Sequence, residues 1–309
     1  MPARISIFLG KGGVGRTTLA CAFAVDRAAA GERVLLVSLA HGDQLSSRIQ
    51  HEAAGVDTDA LMRASYAGGR HPAHASGRLE LLALDARALV DDLVRKITRL
   101  GAMADYIMRN PSYEGLVDIV PGVREMALLH ELAKRRDSGA YDRVVLDAPA
   151  TGHGIHFLEA PEKTARILAG PLKARAEELR DMLKDPRATD IVLVTLAEET
   201  PVRETEQLAR TLREQGFSLD NVVVNRWFPR VFVDEGSRRA LDAMPEEPWV
   251  RAIRLVASQR AEGEAHLAEL RGIGGAKLAI VPLIPDSAHR LQRVAEAMKD
   301  FVPGPEAAS

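Results

Sequence analysis

Near its start the chain carries Gly10-Lys11-Gly12-Gly13-Val14-Gly15-Arg16-Thr17-Thr18. Four glycines fall between positions 10 and 15, more than a tight turn requires. From Gly10 to Thr17 the segment fits G-x-x-x-x-G-K-[ST] with one change: Arg16 stands where lysine is usual. In such a loop the glycines let backbone amides turn inward around phosphate oxygens, and the following helix adds its positive end. The Thr17 hydroxyl suits Mg²⁺ beside β- and γ-phosphates. Gly10, Gly12, Gly13, Val14, Gly15, Arg16, Thr17 and Thr18 are therefore the candidate phosphate-binding residues.

The same letters satisfy G-x-G-x-x-G, the dinucleotide fingerprint, which would imply a nicotinamide-dependent oxidoreductase. That reading wants an acid closing the second strand to hold the ribose. The second strand here closes on Ser38-Leu39-Ala40, with Asp43 further along, and the Thr-Thr pair has no role in it. A ligand-free turn is the third option, and the density of glycines weighs against it.

These residues need a scaffold, and the hydrophobic pattern predicts one. Ile5-Ser6-Ile7-Phe8-Leu9 and Arg33-Val34-Leu35-Leu36-Val37-Ser38 are short apolar runs of the buried parallel kind, joined by a helical stretch over 17–30. A weaker strand is expected over Leu79–Leu84, and Arg143-Val144-Val145-Leu146-Asp147 is a strand closing on an acid. Further strands are predicted over 190–195, 221–224 and 277–281. Helices are predicted over much of 86–136, then 162–184, 201–215, 235–270 and 287–301. Alternating strands and helices predict an α/β fold: one doubly wound, mostly parallel sheet with helices on both faces. We expect a single domain over 1–302, with helical insertions at about 86–136 and 160–188 and a frayed tail at 303–309. Ligand belongs at the carboxyl ends of the strands.

Over 309 residues, 46% are hydrophobic and 27% charged, enough for a substantial core. A net charge of −2 favours neither nucleic acid nor an anionic membrane as partner. The single cysteine, Cys21, allows no disulfide or Cys-pair zinc site within one chain. No signal peptide or intrinsic membrane segment is read, so a cytoplasmic location is expected. His41, His71 and His74 lie in polar stretches without a metal-ligand pattern.

With Lys11 directly after the first glycine, the loop resembles the deviant phosphate loop (deviant Walker A) of the arsenite-pump and tail-anchored-protein-targeting ATPases, kin to the partition and septum-site ATPases. The resemblance continues in order along residues 4–290, as in a divergent bacterial member. Asp147-Ala148-Pro149-Ala150-Thr151-Gly152-His153 is similar to that family's second switch, D-T-A-P-T-G-H. Pro121-Gly122-Val123-Arg124-Glu125 resembles its P-G-x-x-E segment, and Pro201-Val202-Arg203-Glu204-Thr205 a helix start after its fifth strand. Val224-Asn225-Arg226 resembles the adenine-holding V-N-[RQ], and Val281-Pro282-Leu283 the late loop over the base.

The resemblance implies ATP and Mg²⁺ as ligands and a face-to-face dimer in which Lys11 reaches the partner's phosphates. It implies that Asp147 holds Mg²⁺ with Thr17, that the Gly152 amide senses the γ-phosphate, and that Asn225, Arg226 and Pro282 contact nucleotide. The Asn225 amide can donate to and accept from adenine, though it could instead cap the next helix. Glu125 and Glu204 could be no more than acids near helix starts.

Departures from the family pattern temper the expected activity. Arg16 keeps the charge but not the compact ammonium of lysine. The first switch, S-T-D-P-A-H in the family, reads Ser38-Leu39-Ala40-His41-Gly42-Asp43, so Ala40 replaces an aspartate and Asp43 is the candidate substitute. One cysteine excludes an arsenite site of clustered thiolates, and no Met-rich helical insertion follows the second switch. The function expected is a dimeric, Mg-ATP-binding switch ATPase whose nucleotide state controls a protein client. Its turnover is impaired or partner-dependent; the partner is a second copy, or a paralogue in a heterodimer of which this chain is the weakly hydrolysing subunit. Lys11, Arg16 and Asp43 are its candidate catalytic residues. A catalytically inactive nucleotide-binding scaffold is the alternative.

Overall fold

The structure is a computed structural model; it describes residues 4–38, 49, 62–66, 79–84, 89–91, 122–148, 154–167, 169–219, 221–229, 235–271, 273, 276–285 and 289–298. The elements are β1 (Arg4–Leu9), α1 (Arg16–Ala29), β2 (Val34–Ser38), β3 (Met62–Tyr66), β4 (Leu79–Ala83), α2 (Val123–Asp137), β5 (Arg143–Asp147), α3 (Gly154–Ile167), α4 (Pro171–Lys184), β6 (Thr189–Leu196), α5 (Glu199–Glu214), β7 (Asn221–Trp227), α6 (Glu235–Asp242), α7 (Pro248–Arg271), β8 (Lys277–Pro282) and α8 (Arg290–Ala297).

Eight strands form one sheet in the order β3-β4-β2-β5-β1-β6-β7-β8, and every pairing is parallel. The fold is α/β, as expected, with one strand more than predicted. Met62-Arg63-Ala64-Ser65-Tyr66 alternates apolar and polar residues but holds no β-branched residue and is only five long, so local propensity is weak and pairing to β4 sets this edge strand.

The continuous apolar runs follow from burial on both faces. Ile5, Ile7 and Leu9 of β1 enter one cluster with Leu35, Val37, Val144 and Leu146, covered by α2, α4 and α5 residues such as Leu129, Leu179 and Leu212. Phe8, Val34, Leu36 and Val145 point the other way, into a cluster with Leu19, Phe23, Leu291 and Val294 from α1 and α8. A strand with no solvated face has no reason to alternate polar and apolar residues.

Two predicted helices are each divided. The stretch 162–184 breaks where Gly170, at φ 64°, caps α4 and Pro171 takes its first position. The stretch 235–270 breaks around Pro245, and Pro248 opens α7. At the amino ends of the strands Arg143 bonds Glu32 at 2.8 Å and lies 3.6 Å from Asp190, which also pairs with Arg4. This ion network pins the starts of β1, β5 and β6, at the sheet end opposite the phosphate loop. β1 is the hinge of the topology, because β5 and β2 lie on one side and β6 to β8 on the other. The crevice for ligand is expected at such a reversal, above the carboxyl ends of the strands.

Candidate nucleotide-binding site

β1 ends at Leu9 directly before the glycine loop, and Asp147, the last residue of β5, lies level with Phe8 in the register. The β5 acid therefore stands beside the loop. Thr17, in the first turn of α1, donates its hydroxyl hydrogen to Asp147 Oδ2 at 2.8 Å. The two oxygen ligands expected to share a cation are in direct contact. Asp147 is only 6% exposed, and a buried carboxylate is costly unless charge or hydrogen bonds compensate it. A hydroxyl and a carboxylate form a hard donor set that suits Mg²⁺, which takes one or two protein ligands and fills its octahedron with phosphate and water. Among the described residues no group of three or more His, Cys, Asp or Glu could hold a metal by itself. The residues fit an ion that arrives with a nucleotide.

Arg16 turns inward. Its side chain is buried, and Nη1 donates to the Ala148 carbonyl at 2.8 Å. The guanidinium thus ties the start of α1 to the residue immediately after the β5 acid. Burial pushes the Arg16 pKa below its usual value, with the Asp147 carboxylate opposing the shift. An arginine stays charged regardless.

Lys11 behaves oppositely. It is exposed, and its Nζ donates to Glu204 Oε1 of α5 at 2.7 Å. With both side chains about half exposed, such a pair is worth roughly 0.2–1 kcal/mol and is readily exchanged for another anion.

The far side of the loop is held by β7. Asn225 is buried; its Nδ2 donates to the Val14 carbonyl at 2.9 Å, and its Oδ1 accepts from the Arg226 backbone N–H at 2.9 Å. Gly15, which caps α1 at φ 92°, passes so close that a Cβ there would lie 2.2 Å from Asn225 Nδ2. No side chain caps α1 and its first turn holds no acid, which leaves the helix's positive end to a ligand. Arg226 adopts φ 55° at a register shift between Val224 and Trp227. Next to this bend lies a cavity of about 260 Å³, lined by Asn225 to Phe228 together with Leu196, Glu198, Gln259 and Leu283 among others. Pro282 pairs in register with Trp227 and is exposed, and the next residue, Leu283, lines the cavity.

Gly10 to Thr18, Asn225, Arg226 and Asp147 are thus brought together at one end of the sheet. Asp43 and Gly152, with Ala40, Thr151 and His153 of the two switch segments, lie outside the described residues. Sequence reasoning passed over Trp227, Gln259 and Arg260, since the only local signal is Trp227 two places after Asn225.

A glycine loop after the first strand, a threonine at the helix start and an acid closing the adjacent strand define the site of a P-loop nucleoside triphosphatase. The family model of the anion-transporting ATPases matches residues 3–175 and 170–242, and the chain belongs to that family of nucleotide-binding ATPases. ATPase BagA of Mycobacterium tuberculosis is 30% identical over 261 residues, covering 82% of this chain and 74% of the relative. ATPase GET3 of Chaetomium globosum is 26% identical over 262 residues, 72% of each. ATPase asna-1 of Caenorhabditis elegans is 23% identical over 251 residues, 70% of this chain and 72% of the relative. No helix among the described residues is long and apolar enough to cross a membrane.

Proposed function

We propose that this chain is a Mg-ATP-binding switch ATPase that works as a face-to-face dimer, its nucleotide state governing a protein partner. The observation that carries this reading is the Thr17–Asp147 contact beside a glycine loop braced by Asn225. Backbone amides of Gly12 to Thr17 cradle the phosphates, and the Asn225 side of the site receives the base. Mg²⁺, held by Thr17 and Asp147, supplies charge neutralisation at the β- and γ-phosphates. In this reading Lys11 exchanges Glu204 for the phosphates of a second subunit, a homodimer copy or a paralogue, and its exposure and its surface ion pair support that. The Gly152 amide reports the γ-phosphate to the switch segment, and Asp43 orients the attacking water in place of Ala40. The client is a protein; the lone Cys21 is buried and offers no arsenite site.

Arg16 argues for slow turnover, because its guanidinium is engaged with the Ala148 carbonyl where a P-loop lysine would serve the phosphates. The same observation favours the second reading, a nucleotide-binding scaffold without hydrolysis. Release of phosphate from ATP by the wild type and by the Arg16→Lys, Ala40→Asp double variant separates them. We expect slow wild-type turnover and a rise of about tenfold or more on repair, since a single transition-state donor is typically worth at least that. Saturable ATP binding with no phosphate release from either protein would establish the scaffold, and brisk wild-type turnover would remove the case for a weak subunit.

A further inference from the structure

We infer that Arg16 is a positioning residue for the metal acid: from inside the phosphate loop it holds the Ala148 carbonyl and so sets Asp147 for Mg²⁺; this rests on the nucleotide-site reading above. Two consecutive residues at the start of α1 grip two consecutive residues at the end of β5. Thr17 donates to Asp147 Oδ2 and Arg16 Nη1 to the Ala148 carbonyl, both at 2.8 Å. Arg16, Asp147 and Ala148 are 7%, 6% and 4% exposed, so these bonds form in a medium of low dielectric, where each counts for more than in water.

The sheet does not provide this anchor. Asp147 is the last residue of β5 paired to β1 and β2, opposite Phe8 and Ser38, and the chain leaves the ladder there. Ala148 precedes Pro149, which biases its backbone to extended conformations. The acid is therefore held twice, through its own oxygen by Thr17 and through its stiff neighbour by Arg16.

The residue type matters. A guanidinium presents five N–H groups in a rigid planar fork, and one bond to Ala148 does not exhaust them, so Arg16 can meet phosphate oxygens without leaving the carbonyl. Lysine projects its three N–H groups from a single nitrogen, and turning them to phosphate takes them away from Ala148. The Asp147 carboxylate also feels the guanidinium, since it opposes the fall in Arg16 pKa that burial causes. Groups that support a metal ligand from behind typically carry roughly 10–100-fold of metal affinity.

The test follows the ATP dissociation constant of the full chain as Mg²⁺ is titrated, for the wild type, Arg16→Lys and Arg16→Met. In Arg16→Lys the ATP affinity without Mg²⁺ should stay within about threefold of wild type, because the charge is kept. The Mg²⁺ concentration that half-tightens binding should rise by about tenfold in the same variant. Arg16→Met should show that shift and also lose affinity without Mg²⁺. Damage to the fold would weaken binding with and without the ion, so the split in Arg16→Lys is not its signature. Saturating Mg²⁺ makes good the loss, which leaves the turnover comparison above unaffected. A wild-type Mg²⁺ profile in Arg16→Lys, whether or not affinity without the ion falls, gives Arg16 to the phosphates alone and overturns the inference while the nucleotide site stands. ATP binding by the wild type that ignores Mg²⁺ overturns it as well. A wild type that binds no ATP overturns the site reading and the inference together.

Discussion

Gly15 meets two requirements at once: it takes φ 92° to start α1 and leaves no atom between the loop and Asn225. An L side chain in the left-handed region costs roughly 1–3 kcal/mol when its surroundings hold it there. Gly15→Ala should therefore lower unfolding free energy by about 2 kcal/mol in denaturant titration, and reduce ATP affinity by at least about tenfold as the loop is displaced from Asn225. Full affinity in that variant would show that the Asn225 contact does not set the loop. The residue types of this site were legible in the sequence, because glycine spacing, Thr17 and a strand-closing acid are local patterns. Their partners were not. That Arg16 turns to Ala148, 132 residues later, and that Asn225 bonds Val14, 211 residues earlier, depends on β1, β5, β6 and β7 lying side by side.

Elements, in turn, were legible where hydrophobic period and burial agree. β1, β2 and β5 announce themselves because both of their faces are covered. β3 did not, since an edge strand is stabilised by its one neighbour. The helical span 235–270 was recognised as helix, yet its use of Gly263 and Arg260 to clamp Trp227 is a long-range contact that no local pattern encodes. Gly263→Ala tests that clamp. Better helix propensity offsets much of the strain against the indole, so the melting temperature should move little, whereas ATP affinity should fall severalfold as the cavity wall at Trp227 and Ala197 shifts. Inorganic triphosphate affinity should be unchanged. Loss of both affinities together would place the damage in the loop and not in α7.

For the molecule as a whole, a parallel sheet that reverses about β1 gathers a phosphate cradle, an acid and a base-sized cavity above one set of strand ends. The opposite ends are tied by Arg143, Glu32, Asp190 and Arg4, leaving the ligand side free of that network. Lys11 pairs with Glu204 at the surface, and in the proposed dimer a second copy's nucleotide takes the place of Glu204. Binding of nucleotide precedes every other step in this scheme, so calorimetric titration of the full chain with ATP, with and without Mg²⁺ and against NADH, tests it most directly. One saturable ATP site per chain, tightened by Mg²⁺, with NADH silent, is the predicted result. Binding of NADH without affinity for ATP would contradict it.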